Sequence, residues 1–180
     1  LILNGDVRML VDLKGVDTNY FNVTGVAEKL IRGNFETGTV DEPALVLGNG
    51  VENALGIESD RYLYPLTVYS FKRGMGVNVS DPTQALAAAN ITTSGTFFIQ
   101  QDIDNKYAIT NLDFMKLMLG LKPDEYSHVE VALAGGTNTA DMKQAIQKIF
   151  PPNYLVETKY EQNKSLYSVM NLEKWAIYAI

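Results

Sequence analysis

The sequence predicts an α+β fold. Three observations carry this. Short strand-like runs with β-branched or aromatic residues recur at 7–16, 44–47, 62–71, 93–100 and 129–133. Two segments, 111–119 and 139–150, carry helical spacing and helix-end signals. No regular strand–helix alternation links them into a parallel sheet.

The strands differ in pattern. In 7–16, Val7, Met9, Val11 and Leu13 alternate with Arg8, Leu10, Asp12 and Lys14, which predicts one half-buried strand. Ala44-Leu45-Val46-Leu47 is apolar throughout and predicts a strand buried on both faces. Residues 62–71 are rich in Tyr, Val and Thr. Asp104-Asn105 predicts a tight turn that joins 93–100 to 107–109 as a hairpin. Val129, Val131 and Leu133 alternate with His128, Glu130 and Ala132, and Tyr154–Glu157 predicts a last strand.

The helices have their own punctuation. Residues 51–55 form a short one that Gly56 stops. Asp81-Pro82 predicts a helix start before the Ala-rich run 83–89. Asn111 or Thr110 caps 111–119, and Gly120 ends it. In 139–150, Met142, Ala145, Ile146 and Ile149 share one face, and Pro151-Pro152 follow. From about Tyr160 the chain again predicts helix, with Leu166, Val169 and Met170 on an amphipathic stretch. Trp175 to Ile180 is apolar all round, which leaves a core helix and entry into a membrane equally open.

Composition removes several functions. With 46% hydrophobic residues, 180 residues can bury a core. The net charge of -6 argues against nucleic acid. Without cysteine there is no disulfide, thiolate metal site or cysteine nucleophile. His128 is the single histidine, so a zinc site would draw its other ligands from carboxylates. No Gly-x-Ser-x-Gly elbow is present. Gly48-Asn49-Gly50 follows a strand and opens a helix, but lacks the third glycine of a dinucleotide fingerprint. Asp102 and Asp104 imitate part of a calcium loop, but Tyr107 stands where such a loop needs glycine. No cofactor is expected, and an exposed turn is expected at these carboxylates. Asn22, Asn78, Asn90 and Asn163 head glycosylation sequons.

Several segments, in order, resemble one family. They are Leu13-Lys14-Gly15-Val16-Asp17, Ala44-Leu45-Val46-Leu47-Gly48 with Leu55-Gly56-Ile57, Thr96-Phe97-Phe98-Ile99 with the turn 102–107 and helix 109–119, and Asn163 to Lys174. The family is the periplasmic core domain of MacB/FtsX-type ABC transporter permeases, most similar to the lipoprotein-releasing LolC/LolE type. Ser59-Asp60 departs from the family's usual Gly-Asp. The domain's first strand and helix are expected upstream of Leu1.

The resemblance implies a porter-like α/β unit at 1–56 and 124–165. It implies an inserted, mainly β, Sabre-like subdomain at 57–123. It also implies that residues 166–180 lead into a transmembrane segment. The domain would stand on the periplasmic side of a bacterial inner membrane and catalyse nothing itself. Its partners would be a cytoplasmic ABC ATPase subunit, a second permease subunit, a periplasmic lipoprotein chaperone and a lipoprotein substrate. A hook-like loop within 71–89 would meet the chaperone through Met75, Val77, Val79, Pro82 and Leu86. The alternative to that contact is a loop packed on its own domain. Rival functions are an efflux or FtsX-like signalling permease, a stand-alone periplasmic binding module, and a small carboxylate enzyme.

Overall fold

A computed structural model describes residues 1–73 and 85–162. The chain divides into two compact units, Leu1–Val131 and Ala132–Ile180.

The first unit is built on one mixed sheet of eight strands. These are β1 (Ile2–Asn4), β2 (Val7–Met9), β3 (Asp12–Val16), β4 (Leu30–Gly33), β5 (Ala44–Gly48), β6 (Leu66–Phe71), β7 (Leu86–Phe97) and β8 (Tyr107–Asn111). Their order is β2-β1-β6-β7-β5-β8-β3, and β4 pairs with β7 as well. The β3–β8 and β5–β7 pairs are parallel, and the rest are antiparallel. Its helices are α1 (Tyr20–Thr24), a 3-10 turn Val26–Lys29, α2 (Asn49–Leu55), α3 (Gln101–Asp104) and α4 (Leu112–Leu119). The α+β class expected from the sequence is the class of the fold.

β5 explains why the sheet has two cores. All five of its residues are buried. Leu45 and Leu47 join a large cluster with Ile2, Val51, Leu55, Leu66, Val68, Phe114 and Met118. Val46 joins a smaller one with Val16, Val26, Phe97 and Ile109. Successive side chains of a strand point to opposite faces, so an apolar run must be covered twice. Each such Leu contributes about 1.5–3 kcal/mol on burial.

Four expectations are corrected. Residues 7–16 form two strands rather than one: β2 lies at one end of the sheet, and β3 lies at the other. Met9, Val11 and Leu13 all pack against the large cluster, so the alternation runs on while Leu10, 82% exposed, sits in the break. The Ala-rich run is not a helix. Ala87, Ala88 and Ala89 lie in β7 and pair with Ser70, Tyr69 and Val68. A continuous ladder with β6 overrides the helix preference of alanine. Residues 97 and 107 do not bound a hairpin either, because β5 lies between β7 and β8 and α3 replaces the turn. Residues 129–133 and 154–157 form no strand, so helix 139–150 is not flanked by a strand on either side.

The second unit holds α5 (Thr139–Ile149) and α6 (Lys159–Gln162). Asn138 caps α5, its side chain accepting from Ala140 N at 2.9 Å and Asp141 N at 3.4 Å. None of the α5 residues is buried. Phe150 and Tyr154 stack with ring centroids 5.4 Å apart, and Gln147 Nε2 donates to Tyr154 O at 3.1 Å. No helix among the described residues is long and apolar enough to cross a membrane. The segment Trp175–Ile180 lies outside the described residues.

Candidate functional site

The β6–β7 hairpin presents the segment in which the partner loop is expected. Its ladder runs from Leu66↔Ile91 to Phe71↔Leu86. Beyond that pair, Lys72 N donates to Ala85 O at 2.8 Å. Arg73 N then donates to Leu119 O at 2.9 Å, which ties the outgoing strand to the end of α4. The Arg73 guanidinium lies 3.6 Å from Glu125. Ala85 is buried, while Phe71 is 65% exposed. Both ends of the segment are therefore held by main-chain bonds, and an apolar side chain projects at the root. Of the five expected contact residues, Leu86 opens β7 opposite Phe71 and is half-buried. Met75, Val77, Val79 and Pro82 lie outside the described residues.

A buried polar network lies elsewhere in the same unit. Glu52 on α2 is 1% exposed, and its Oε1 accepts from Ser59 N at 2.6 Å. Arg32 on β4 brings its guanidinium to 3.5 Å from Glu52 and 3.9 Å from both Glu58 and Asp60. Ser59 Oγ shares a 2.6 Å hydrogen bond with Thr96 Oγ1, and Thr93 Oγ1 donates to Ser59 O at 2.8 Å. A buried carboxylate needs such partners, since desolvation costs several kcal/mol unless hydrogen bonds and an opposite charge offset it. Sequence reasoning missed these residues. Their signal is three-dimensional, because Arg32, Glu52, Ser59 and Thr96 come from four separate segments.

The two carboxylates of 102–104 part company. Asp102 is exposed, whereas Asp104 is 1% exposed. The expected exposed turn is corrected at that position. Asp104 Oδ1 accepts from Ile99 N at 2.9 Å, and Oδ2 is buried without a hydrogen-bond partner among the described residues. Gly48-Asn49-Gly50 is the strand-to-helix turn the sequence predicts. Its glycines are there for space. A Cβ on Gly48 would lie 2.2 Å from Asp104 O, and one on Gly50 would lie 1.8 Å from Asn105 Oδ1.

Other features are surface ones. His128 is exposed. An open cleft of about 520 Å³ is lined by Glu36, Asp41, Glu42, Pro65, Asn90 and Thr92 among others. No group of three or more His, Asp or Glu among the described residues is placed to hold a metal ion. At the edge of the sheet, Lys14 pairs with Glu130 and donates to Tyr20 Oη at 3.2 Å. Burial pulls the Lys14 pKa down, but hydrogen bonds to Glu130 and Tyr20 outweigh it and hold the value above that of an ordinary lysine.

No family model matches the sequence, and no curated protein matches it.

Proposed function

We propose that this chain is an extracytoplasmic, partner-binding domain of a MacB/FtsX-type ABC transporter permease, of the lipoprotein-releasing LolC/LolE kind. The ordered motifs between Leu13 and Lys174 support the family. The observation that carries the partner role is the anchored root of the β6–β7 segment. Phe71↔Leu86, Lys72–Ala85 and Arg73–Leu119 fix both of its ends to the sheet and to α4. Binding through Met75, Val77 and Val79, whose structure lies outside the described residues, would cost less entropy in a segment fixed at both ends than in a free tail.

In this reading ATP is hydrolysed by a separate cytoplasmic subunit. The residues after Gln162 connect the domain to the membrane part, in a complex with a second permease subunit. The domain stands on the periplasmic side of a bacterial inner membrane and hands a lipoprotein to its chaperone. Residues 1–56 of the porter-like part and residues 57–123, the Sabre-like part, share strands of one sheet, with β5 lying between β7 and β8. A shared sheet passes displacement from one part to the other without local unfolding, because packed interiors are stiff.

The test uses the full-length permease with Met75, Val77 and Val79 replaced by Ser, leaving Phe71 and Leu86 in place. Chaperone capture and lipoprotein release should both fall, with assembly of the ATPase subunit unchanged. Undiminished release would overturn the chaperone-binding role. Chaperone binding absent from the unmodified protein would point instead to an efflux or FtsX-like permease.

A further inference from the structure

Among the described residues the outer edge of β3 is an open sheet edge. β3 ends the strand order and pairs only with β8 among the described residues. Asp12 N donates to Lys106 O at 2.8 Å, which sets the phase of the parallel ladder. Asp12, Lys14 and Val16 turn their main-chain groups toward β8, and those of Leu13 and Gly15 point away from it. Such an edge is a template for another strand.

Close to it runs a segment with strand chemistry and no ladder. Residues 128–131 read His-Val-Glu-Val, without Pro or Gly. They have no regular structure, and Val129 and Val131 are 73% and 59% exposed. The segment is tethered at two points. The Glu130 carboxylate is ion-paired with Lys14 on β3. Tyr126 lies over the Lys116 ammonium of α4, 3.8 Å from the ring centroid, and Lys116 also donates to Pro123 O. α4 itself lies directly on β3, since a Cβ on Gly15 would meet Met115 at 2.6 Å.

We propose that residues 128–131 are a strap that closes on the outer edge of β3 as an added strand, with Glu130 beside Lys14. The pleat selects this register. With Glu130 on the Lys14 face, Val129 and Val131 fall on the opposite face. That is the face on which Leu13 packs against the large cluster and Gly15 against Met115. The two valines then extend the apolar core under α4. A slip by one residue would put Glu130 into that face and leave both valines outside, so the alternation excludes it. Lys14–Glu130 is also the opposite-charge pair that favours directly opposed residues on neighbouring strands. Closure gives Leu13 and Gly15 ladder partners that the edge lacks among the described residues.

The test is residue-resolved amide hydrogen exchange on the whole 180-residue chain. Leu13 and Gly15 should exchange at least about tenfold more slowly than open-edge amides. Glu130→Lys and Val131→Asp should each remove that protection while leaving the Lys14 and Val16 amides, bonded to β8, unchanged. The chain has no cysteine, so Leu13→Cys paired with Val129→Cys or with Val131→Cys gives an unambiguous second readout. One of the two pairs should oxidise to a disulfide, which also gives the direction of the added strand. Fast exchange at Leu13 and Gly15, or protection that survives both strap variants, would overturn the strap. So would failure of both cysteine pairs to oxidise.

Discussion

The Glu52 carboxylate accepts a 2.6 Å hydrogen bond from Ser59 N in the buried interior, with the Arg32 guanidinium 3.5 Å from the same oxygen. One side chain thus links the helix after β5, the loop leading to β6, and the edge strand β4. Glu52→Ala leaves the Ser59 amide without its acceptor and Arg32 without its buried counter-charge. It should cost about 3–5 kcal/mol, the usual result of breaking a buried pair from one side. Glu52→Gln keeps an oxygen for Ser59 N and should cost distinctly less. Urea unfolding at constant m value measures both. Equal losses for the two variants would mean that the charge, not the hydrogen bond, fixes the loop.

Gly48 and Gly56 flank α2, and they are glycines for different reasons. Gly48 has ordinary extended angles, φ -65 and ψ 145, but a Cβ there would lie 2.2 Å from Asp104 O. Gly56 has φ 68, with nothing within 4 Å of a Cβ. Gly56→Ala should cost about 1–2 kcal/mol, the penalty of left-handed backbone. Gly56→Asn should recover part of that, since Asn tolerates this region. Gly48→Ala should cost about 1–3 kcal/mol or more through overpacking, because a backbone oxygen cannot swing aside. No other side chain should rescue position 48. Thermal unfolding of the variants separates the two mechanisms.

Local signals made part of this fold legible. The Asn111 cap and the Gly120 stop bracket α4 as the sequence predicts, and the apolar run of β5 is buried on both faces. What stayed hidden depends on partners distant in sequence. Ala87–Ala89 favour a helix by propensity, and only the β6 ladder makes them a strand. The alternation of 7–16 could not reveal a break at Leu10, since both strands turn the same face to one cluster. At the candidate site the sequence does not announce how the ends of the segment between β6 and β7 are anchored. The Arg73–Leu119 bond joins residues 46 positions apart, with no side-chain signature to announce it. Burial of Asp104 beside an exposed Asp102 was equally hidden, because it follows from the close approach of Gly48.

The two Asn caps should differ in what they report. Asn111 Oδ1 accepts from Asp113 N at 2.9 Å and Phe114 N at 3.1 Å, and its Nδ2 donates to Gly38 O at 3.0 Å. Asn111→Asp keeps the cap but turns a second acceptor oxygen toward Gly38 O, so it replaces that bond with repulsion. Asn138→Ala removes the cap of a helix with no buried residue. A cap is typically worth about 1 kcal/mol. α4 is secured by Phe114, Met115 and Met118 in its core. The α5 helix lacks that support, so the same loss should fray its first turn. Backbone chemical shifts at Thr139–Lys143 should move toward coil in Asn138→Ala. The corresponding residues of α4 should keep helical shifts in Asn111→Ala.

Glu161 supplies a test of the second unit by pH. Its carboxylate accepts from Lys143 Nζ at 2.6 Å, from Thr158 N at 2.8 Å and from Thr158 Oγ1 at 3.0 Å. The Lys143 hydrogen bond, then those from Thr158, hold its pKa down at about 2 against an ordinary 4.5. All three favour the charged form, so the folded state binds this proton less readily than the unfolded chain does. The contribution is therefore complete above pH 4.5. It fades as the pH falls and is gone once the pH passes below about 2. The site is fully solvated, so salt should weaken the Lys143 part through screening. A carbon-detected titration of the Glu161 carboxyl should give the low midpoint. Lys143→Met should raise that midpoint without restoring 4.5, because the Thr158 bonds remain. A wild-type midpoint already near 4.5 would mean that Lys143 and Thr158 do not hold the start of α6 in solution.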